Sequence, residues 1–165
     1  MIDINVWLAL TWDRHPQHVP ASRWYDSIDD AALLFCRFTM LGFLRLLTNQ
    51  KVMGDSTATL AGALQLYDRW AQDPRVELAA EPRGAEALFR QAIAPFALQT
   101  ATKAVADCYL IGFAEAAGAH VVTFDRGLAA AAQFRQVPVA LLEPVERAYS
   151  VAPSAARKRR GRRSE

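Results

Sequence analysis

Apolar positions fall in short blocks divided by polar, Pro- or Gly-containing breaks, and the spacing inside each block separates strand from helix. Residues 1–6, MIDINV, are apolar apart from Asp3 and Asn5 and predict the start of a strand, with NVWLALT either ending it or turning into helix. His15 to Pro20 is turn-like, and ASRWYDSI after it predicts a helix with Pro20 or Ser22 near its start. AALLFC (31–36) predicts a short buried strand. TMLGFLRLLTN (39–49) predicts a helix with Thr39 as N-cap, because Leu41, Leu44 and Leu47, with Met40 and Phe43, recur at three- and four-residue spacing. DSTATLAGALQLYDRWAQ (55–72) predicts a stronger helix, capped by Asp55 or Ser56 and halted before Asp73-Pro74.

The second half repeats the alternation without any internal repeat. VELAA (76–80) predicts a strand, RGAEALFRQAI (83–93) a helix, and TATKAVADCYLIGFAEAAG (100–118) a long helix ended by Gly118. AHVVTF (119–124) and VPVALL (137–142) predict the last two strands. Strands that alternate with helices imply an α/β domain whose mainly parallel sheet is covered on both faces, and such sheets bind ligands beyond the carboxyl ends of their strands. VVTFDRGL (121–128) therefore carries a question: a core strand runs straight into Asp125, which is either a loop cap or part of a site.

Composition narrows the class. The chain has 165 residues, 52% hydrophobic and 22% charged, which suits one compact domain with a sizeable core. No apolar run is long enough to cross a bilayer, and the acid at position 3 without a basic leader argues against a secretory signal. Cys36 and Cys108 are too few and too isolated for a disulfide or zinc framework and read as buried thiols, so a cytoplasmic protein is expected. The formal charge of +2 conceals a division: residues 157–165 hold six basic residues and one acid, leaving 13 basic and 16 acidic residues elsewhere, a body at −3. The expected organisation is one α/β domain over residues 1–150 and a basic tail over 151–165, low in complexity from Ala155 and expected to be disordered.

Three acids stand where this fold has its crevice. Asp125 follows its strand, Asp3 lies in the first strand, and Asp107 lies among Ala104, Val105, Ala106, Cys108, Tyr109 and Leu110 in the helix that feeds the Val121 strand. Three carboxylates at one sheet edge repel one another, and a divalent cation with oxygen ligands, magnesium or manganese, relieves this. The plainer alternatives are a solvated chain start for Asp3, a surface pair of Asp107 with Lys103 at i, i+4 spacing, and a turn role for Asp125 before Arg126-Gly127. His15, His18 and His120 would allow acid–base chemistry without metal, but the first two lie in a Pro-bounded loop and the third enters a strand at its far edge. Trp7, Trp12, Trp24 and Trp70 read as core or dimer-contact residues rather than base-stacking platforms. A phosphoacceptor receiver-like domain also gathers aspartates at a sheet edge, but no lysine follows the VVTFD strand.

On those residues rests a resemblance. MIDINVWLAL resembles the opening Asp-x-Asn of PIN domains, ADCYLIGFAEAAGAHVVTFDRGL resembles their block around the third and fourth acids, and FCRFTMLGFLRLLTN is similar to the second block of VapC-type toxins. The likeness runs in order over most of residues 1–142. It implies a PIN-like three-layer α/β/α fold and a magnesium- or manganese-dependent endoribonuclease, homodimeric, acting on RNA and held inactive by a VapB-type antitoxin. By the same resemblance Asp3 and Asp107 would ligate the metal, Asp125 would support the metal or its waters, and all three would be catalytic. Asn5 would brace Asp3, Thr123 would contact phosphate or the groups around the metal, and Arg45 would contact phosphate or antitoxin, against a plain surface cation. Gly42 stands where many such domains carry a glutamate, so the carboxylate set is three rather than four. Glutamate at position 42 would be expected to restore the fourth, and Glu115, two turns beyond Asp107, is a candidate to compensate. A catalytically degenerate scaffold that binds RNA or antitoxin without cutting is the alternative.

Overall fold

The computed structural model describes residues 1–143. Twelve helices and strands alternate among them: α1 Ile4–Thr11, α2 His18–Asp26, β1 Leu33–Phe35, α3 Arg37–Leu47, α4 Gln50–Met53, α5 Leu60–Ala71, β2 Val76–Leu78, α6 Ala85–Ile93, α7 Thr102–Ala117, β3 Val121–Thr123, α8 Arg126–Phe134 and β4 Val139–Leu141. The basic tail lies outside the described residues.

β1 pairs in parallel with β2, Leu33 opposite Val76, and β3 with β4, Val121 opposite Val139. Residues 1–3 join the two pairs. Ile2 donates its N–H to Leu34 on one side and bridges in parallel to Val122 on the other, where Asp3 donates to the Val122 carbonyl at 2.9 Å and Val122 donates to Met1 at 3.0 Å. The order across the sheet is thus β2, β1, the amino-terminal segment, β3, β4. Successive residues point to opposite faces. Ile2, Leu33, Phe35 and Val122 enter one core with α1, α2, α3 and α5, whereas Met1, Cys36 and Val121 enter a second with α6, α7 and α8. The fold is the expected α/β arrangement, three layers deep. Its crossovers change face between the amino-terminal segment and β3, so the crevice of this doubly wound sheet opens beside Asp3 and Thr123.

Several elements differ from the sequence expectation. The first strand is reduced to one bridge at Ile2, because the apolar run after it closes as helix and buries Val6, Trp7, Leu8, Ala9 and Leu10. Trp7 is fully buried, stacked on Phe35 with centroids 3.9 Å apart, and burial of an aromatic of this size contributes roughly 3 kcal/mol. Trp12, Trp24 and Trp70 pack against the same core. Thr39 is not the N-cap of α3. It sits one turn inside, where its hydroxyl accepts from the Cys36 N–H at 2.9 Å and completes a capping box. α5 starts at Leu60, capped by Thr59, because Asp55 and Ser56 are taken up in a 3-10 turn. The sequence reading places no element between the last two strands, where α8 forms with Asp125 as its N-cap. Gly118 ends α7 as expected, at φ 60°, and both cysteines are buried free thiols. No helix among the described residues is long and apolar enough to cross a membrane.

Candidate active site

Asp3 closes the amino-terminal segment and starts α1, so its carboxylate lies at the carboxyl edge of the sheet, only 7% exposed. The Thr123 hydroxyl, itself fully buried on the neighbouring strand, donates to Asp3 Oδ2 at 2.8 Å. Thr123 Oγ1 also accepts the Asp125 N–H at 2.9 Å, so one threonine ties the two acids together. Burial holds the Asp3 pKa above the ordinary carboxylate value. The Thr123 hydroxyl and the N–H groups of Ile4 and Asn5 oppose that rise, although no capping bond of normal geometry forms, and the Asp125 charge adds to it.

Asp125 answers the question its strand raised: it does both jobs, one with each oxygen. Oδ1 caps α8, accepting from the N–H groups of Gly127 at 2.7 Å and Leu128 at 3.2 Å. Oδ2 forms an ion pair with Lys103 Nζ. That ammonium, followed by the N-cap bonds, holds the Asp125 pKa below its ordinary value.

Asp107 lies one turn after Lys103 on α7 and is half-buried. Desolvation raises its pKa, Lys103 lowers it, and the charges of Asp125 and Asp3 raise it further. The three acids therefore feel one another across the crevice. The alternative of a surface pair between Lys103 and Asp107 gives way to a bond from Lys103 across 22 residues to the exit of β3. No three acids, histidines or cysteines among the described residues stand close enough to enclose an ion by themselves.

The other expected site residues fare unevenly. The Asn5 side chain is exposed and makes no hydrogen bond to Asp3, so the bracing seen here comes from Thr123. With Thr123 buried, its hydroxyl serves the carboxylate and not an incoming phosphate. Arg45 is exposed on the last turn of α3, with no ion-pair partner among the described residues. At Gly42 the space beside the backbone is taken by the end of the Ile4 side chain, which must turn aside before a fourth acid could stand there. Glu115 does not compensate either, because Arg135 engages it at 2.6 Å and ties α7 to the end of α8. His15 accepts from the Gln17 N–H, His18 bonds the Ala9 carbonyl, and His120 is exposed at the amino end of β3, so no histidine meets the acids. Lys103 is the residue sequence reasoning passed over; its only signal was one helical turn of separation from Asp107.

The PIN domain family matches residues 1–133. This chain belongs to the PIN-domain family. The match removes the receiver-like alternative and agrees with the crevice at the switch point of the sheet. Among relatives of this PIN domain, Ribonuclease VapC41 of Mycobacterium tuberculosis (strain H37Rv) is 38% identical over 132 residues, covering 76% of this chain and 88% of the relative. Ribonuclease VapC39 of the same strain is 30% identical over 148 residues, 84% of this chain and 97% of its own. Ribonuclease VapC38 is 29% identical over 147 residues, covering 86% and 96%. This PIN domain is thus of the VapC type.

Proposed function

We propose that the protein is a magnesium- or manganese-dependent endoribonuclease, the toxin of a VapBC-type module, cutting RNA by attack of water at phosphorus. The observation that carries this reading is the buried Asp3 carboxylate, braced by Thr123 and coupled to Asp107 and Asp125 at the crevice. A buried carboxylate without a cation is costly, and among the described residues the Thr123 hydroxyl gives the Asp3 carboxylate its one side-chain hydrogen bond. An all-oxygen donor set of this kind fits a hard divalent ion that keeps several waters, so the protein residues need not form a complete cage. The names of the relatives as ribonucleases support RNA as substrate.

In this reading Asp3 and Asp107 hold the ion and Asp125 supports its surroundings. The ion, when bound, lowers the pKa of water and offsets charge on the phosphate. Thr123 fixes the Asp3 rotamer, and the ends of the amino-terminal segment and β3, together with α7, hold the three acids at one edge. Hydrolysis leaves a 5′-phosphate and a 3′-hydroxyl, and no residue here requires the 2′-hydroxyl. A VapB-type antitoxin and a second copy of the chain are the expected partners, with Arg45 on the exposed face of α3 as a contact for phosphate or antitoxin. Incubation of the purified protein with RNA, with and without EDTA, tests the reading. Cleavage that stops with EDTA and returns with manganese supports it; RNA binding without cleavage at any metal concentration would establish the degenerate scaffold instead.

A further inference from the structure

We propose that Lys103 is a built-in cation of the active site: its ammonium, seated on Asp125, stands where a second divalent ion would bind and contacts the scissile phosphate, leaving a single ion to Asp3 and Asp107. The inference rests on the metal-nuclease reading and assigns its stoichiometry and a further catalytic residue.

Four observations converge on it. Both oxygens of Asp125 are already engaged, Oδ1 by the first turn of α8 and Oδ2 by Lys103. Among the described residues Asp107 makes no side-chain hydrogen bond and Asp3 receives one, from the Thr123 hydroxyl. No fourth carboxylate is available, since Ile4 fills the space at Gly42 and Arg135 holds Glu115. Three carboxylates and one ammonium leave a charge of −2, which one divalent ion balances and two would over-neutralise.

The position of Lys103 also suits a substrate contact. It lies one turn before Asp107, so α7 presents a ligand and a cation together. Its side chain is 69% exposed while that of Asp125 is 22% exposed, so the ammonium reaches the acid from the open mouth of the crevice, where a phosphate would arrive. A mere surface pair would have joined Lys103 to Asp107 on its own helix. The observed pair instead joins α7 to the exit of β3, and an ammonium already in place needs no reorganisation when phosphate charge develops.

Manganese titration calorimetry and single-turnover RNA cleavage on the full chain, with Lys103→Met and Lys103→Arg, test this. Wild type should bind one ion. Lys103→Met should bind manganese about 3- to 10-fold more tightly, because a competing positive charge is gone and Asp125 is released. At saturating metal its cleavage rate should nevertheless fall about 100-fold, the scale of losing one positioned donor. Lys103→Arg should recover much of the rate and keep one ion. Because the side chain is largely exposed, the variants should fold, and circular dichroism confirms this; Lys103→Gln replaces Met if that variant aggregates. Two ions in wild type, manganese binding by Lys103→Met that is unchanged or weaker, or a rate within twofold of wild type each overturns the proposal. Absence of any manganese binding by wild type overturns it together with the metal-nuclease reading, which separates that failure from the others.

Discussion

Asp3 is the most buried of the three acids. Its pKa is raised by burial, so the folded protein holds its proton more tightly than the unfolded chain does. Metal-free stability is therefore highest, on this account, below the ordinary carboxylate pKa and is lost as pH rises through the raised value. Asp107 acts in the same sense and Asp125, whose pKa is lowered, in the opposite one. Asp3→Asn keeps an acceptor for the Thr123 hydroxyl and removes the charge. Without metal, it should melt at a higher temperature than wild type at pH 7, and the difference should close as pH falls towards 3. Manganese should raise the wild-type midpoint and leave that of Asp3→Asn nearly unmoved; a variant less stable than wild type at pH 7 would contradict the assignment. Asp107→Asn should retain the fold by circular dichroism and, under the proposed function, lose about 100-fold or more in RNA cleavage, because an ion at that site would supply several kcal/mol at the transition state. Wild-type cleavage by this variant in magnesium or manganese would remove Asp107 from the site.

Two glycines set how closely the helices approach, and they differ in what a methyl group would strike. At Gly112 a Cβ would lie 2.5 Å from the Phe89 nitrogen and 2.8 Å from its Cα, both backbone atoms of α6. α6 and α7 would have to separate, so Gly112→Ala should cost about 3 kcal/mol, at the upper end of overpacking penalties. At Gly42 the obstacle is the far end of the Ile4 side chain, which can rotate. Gly42→Ala should cost less than half as much, partly offset by the better helix propensity of alanine, and Ile4→Val should relieve most of the remainder. Urea melts of the two alanine variants and of the Ile4→Val, Gly42→Ala pair check the ranking. Gly42→Glu meets the same obstacle, so a glutamate there would displace Ile4 beside Asp3 before it could act as a ligand. A helix could be read from residues 39–49; that its glycine receives a side chain from α1 could not, because the contact joins residues 38 positions apart.

At the scale of the whole molecule, charge is divided between an acidic body and the basic segment Arg157–Arg163, which holds six cations in seven residues. The body at −3 repels RNA at long range, and the segment can supply the attraction. If it neutralises about four to six phosphates of single-stranded RNA, the slope of log affinity against log salt steepens by about 3–4. Truncation after Ala156 should lower that slope by the same amount while leaving manganese binding unchanged. An unchanged slope would show that the charge serves another partner.

Sequence alone determined most of the alternation of helices and strands, the parallel sheet and the places of three acids near its carboxyl edge, because each rests on local information: apolar period, Gly118 as a C-cap, and an acid at the exit of a strand. It also carried the family resemblance, which depends on short blocks in the right order. Element ends were less legible. Thr39 and Thr59 exchange capping roles with their neighbours through side-chain geometry that composition does not show, and α8 starts at a cap, Asp125, that reads equally well as a turn former. The partners of the acids were decided only by the tertiary structure. Thr123 reaches Asp3 over 120 positions, and Lys103 passes over Asp107 to reach Asp125. Ile4 fills the space beside Gly42, and Arg135 takes Glu115. Each of these contacts depends on which strand ends and helix faces the winding of the chain brings together, and residue spacing along the sequence carries no record of that distance.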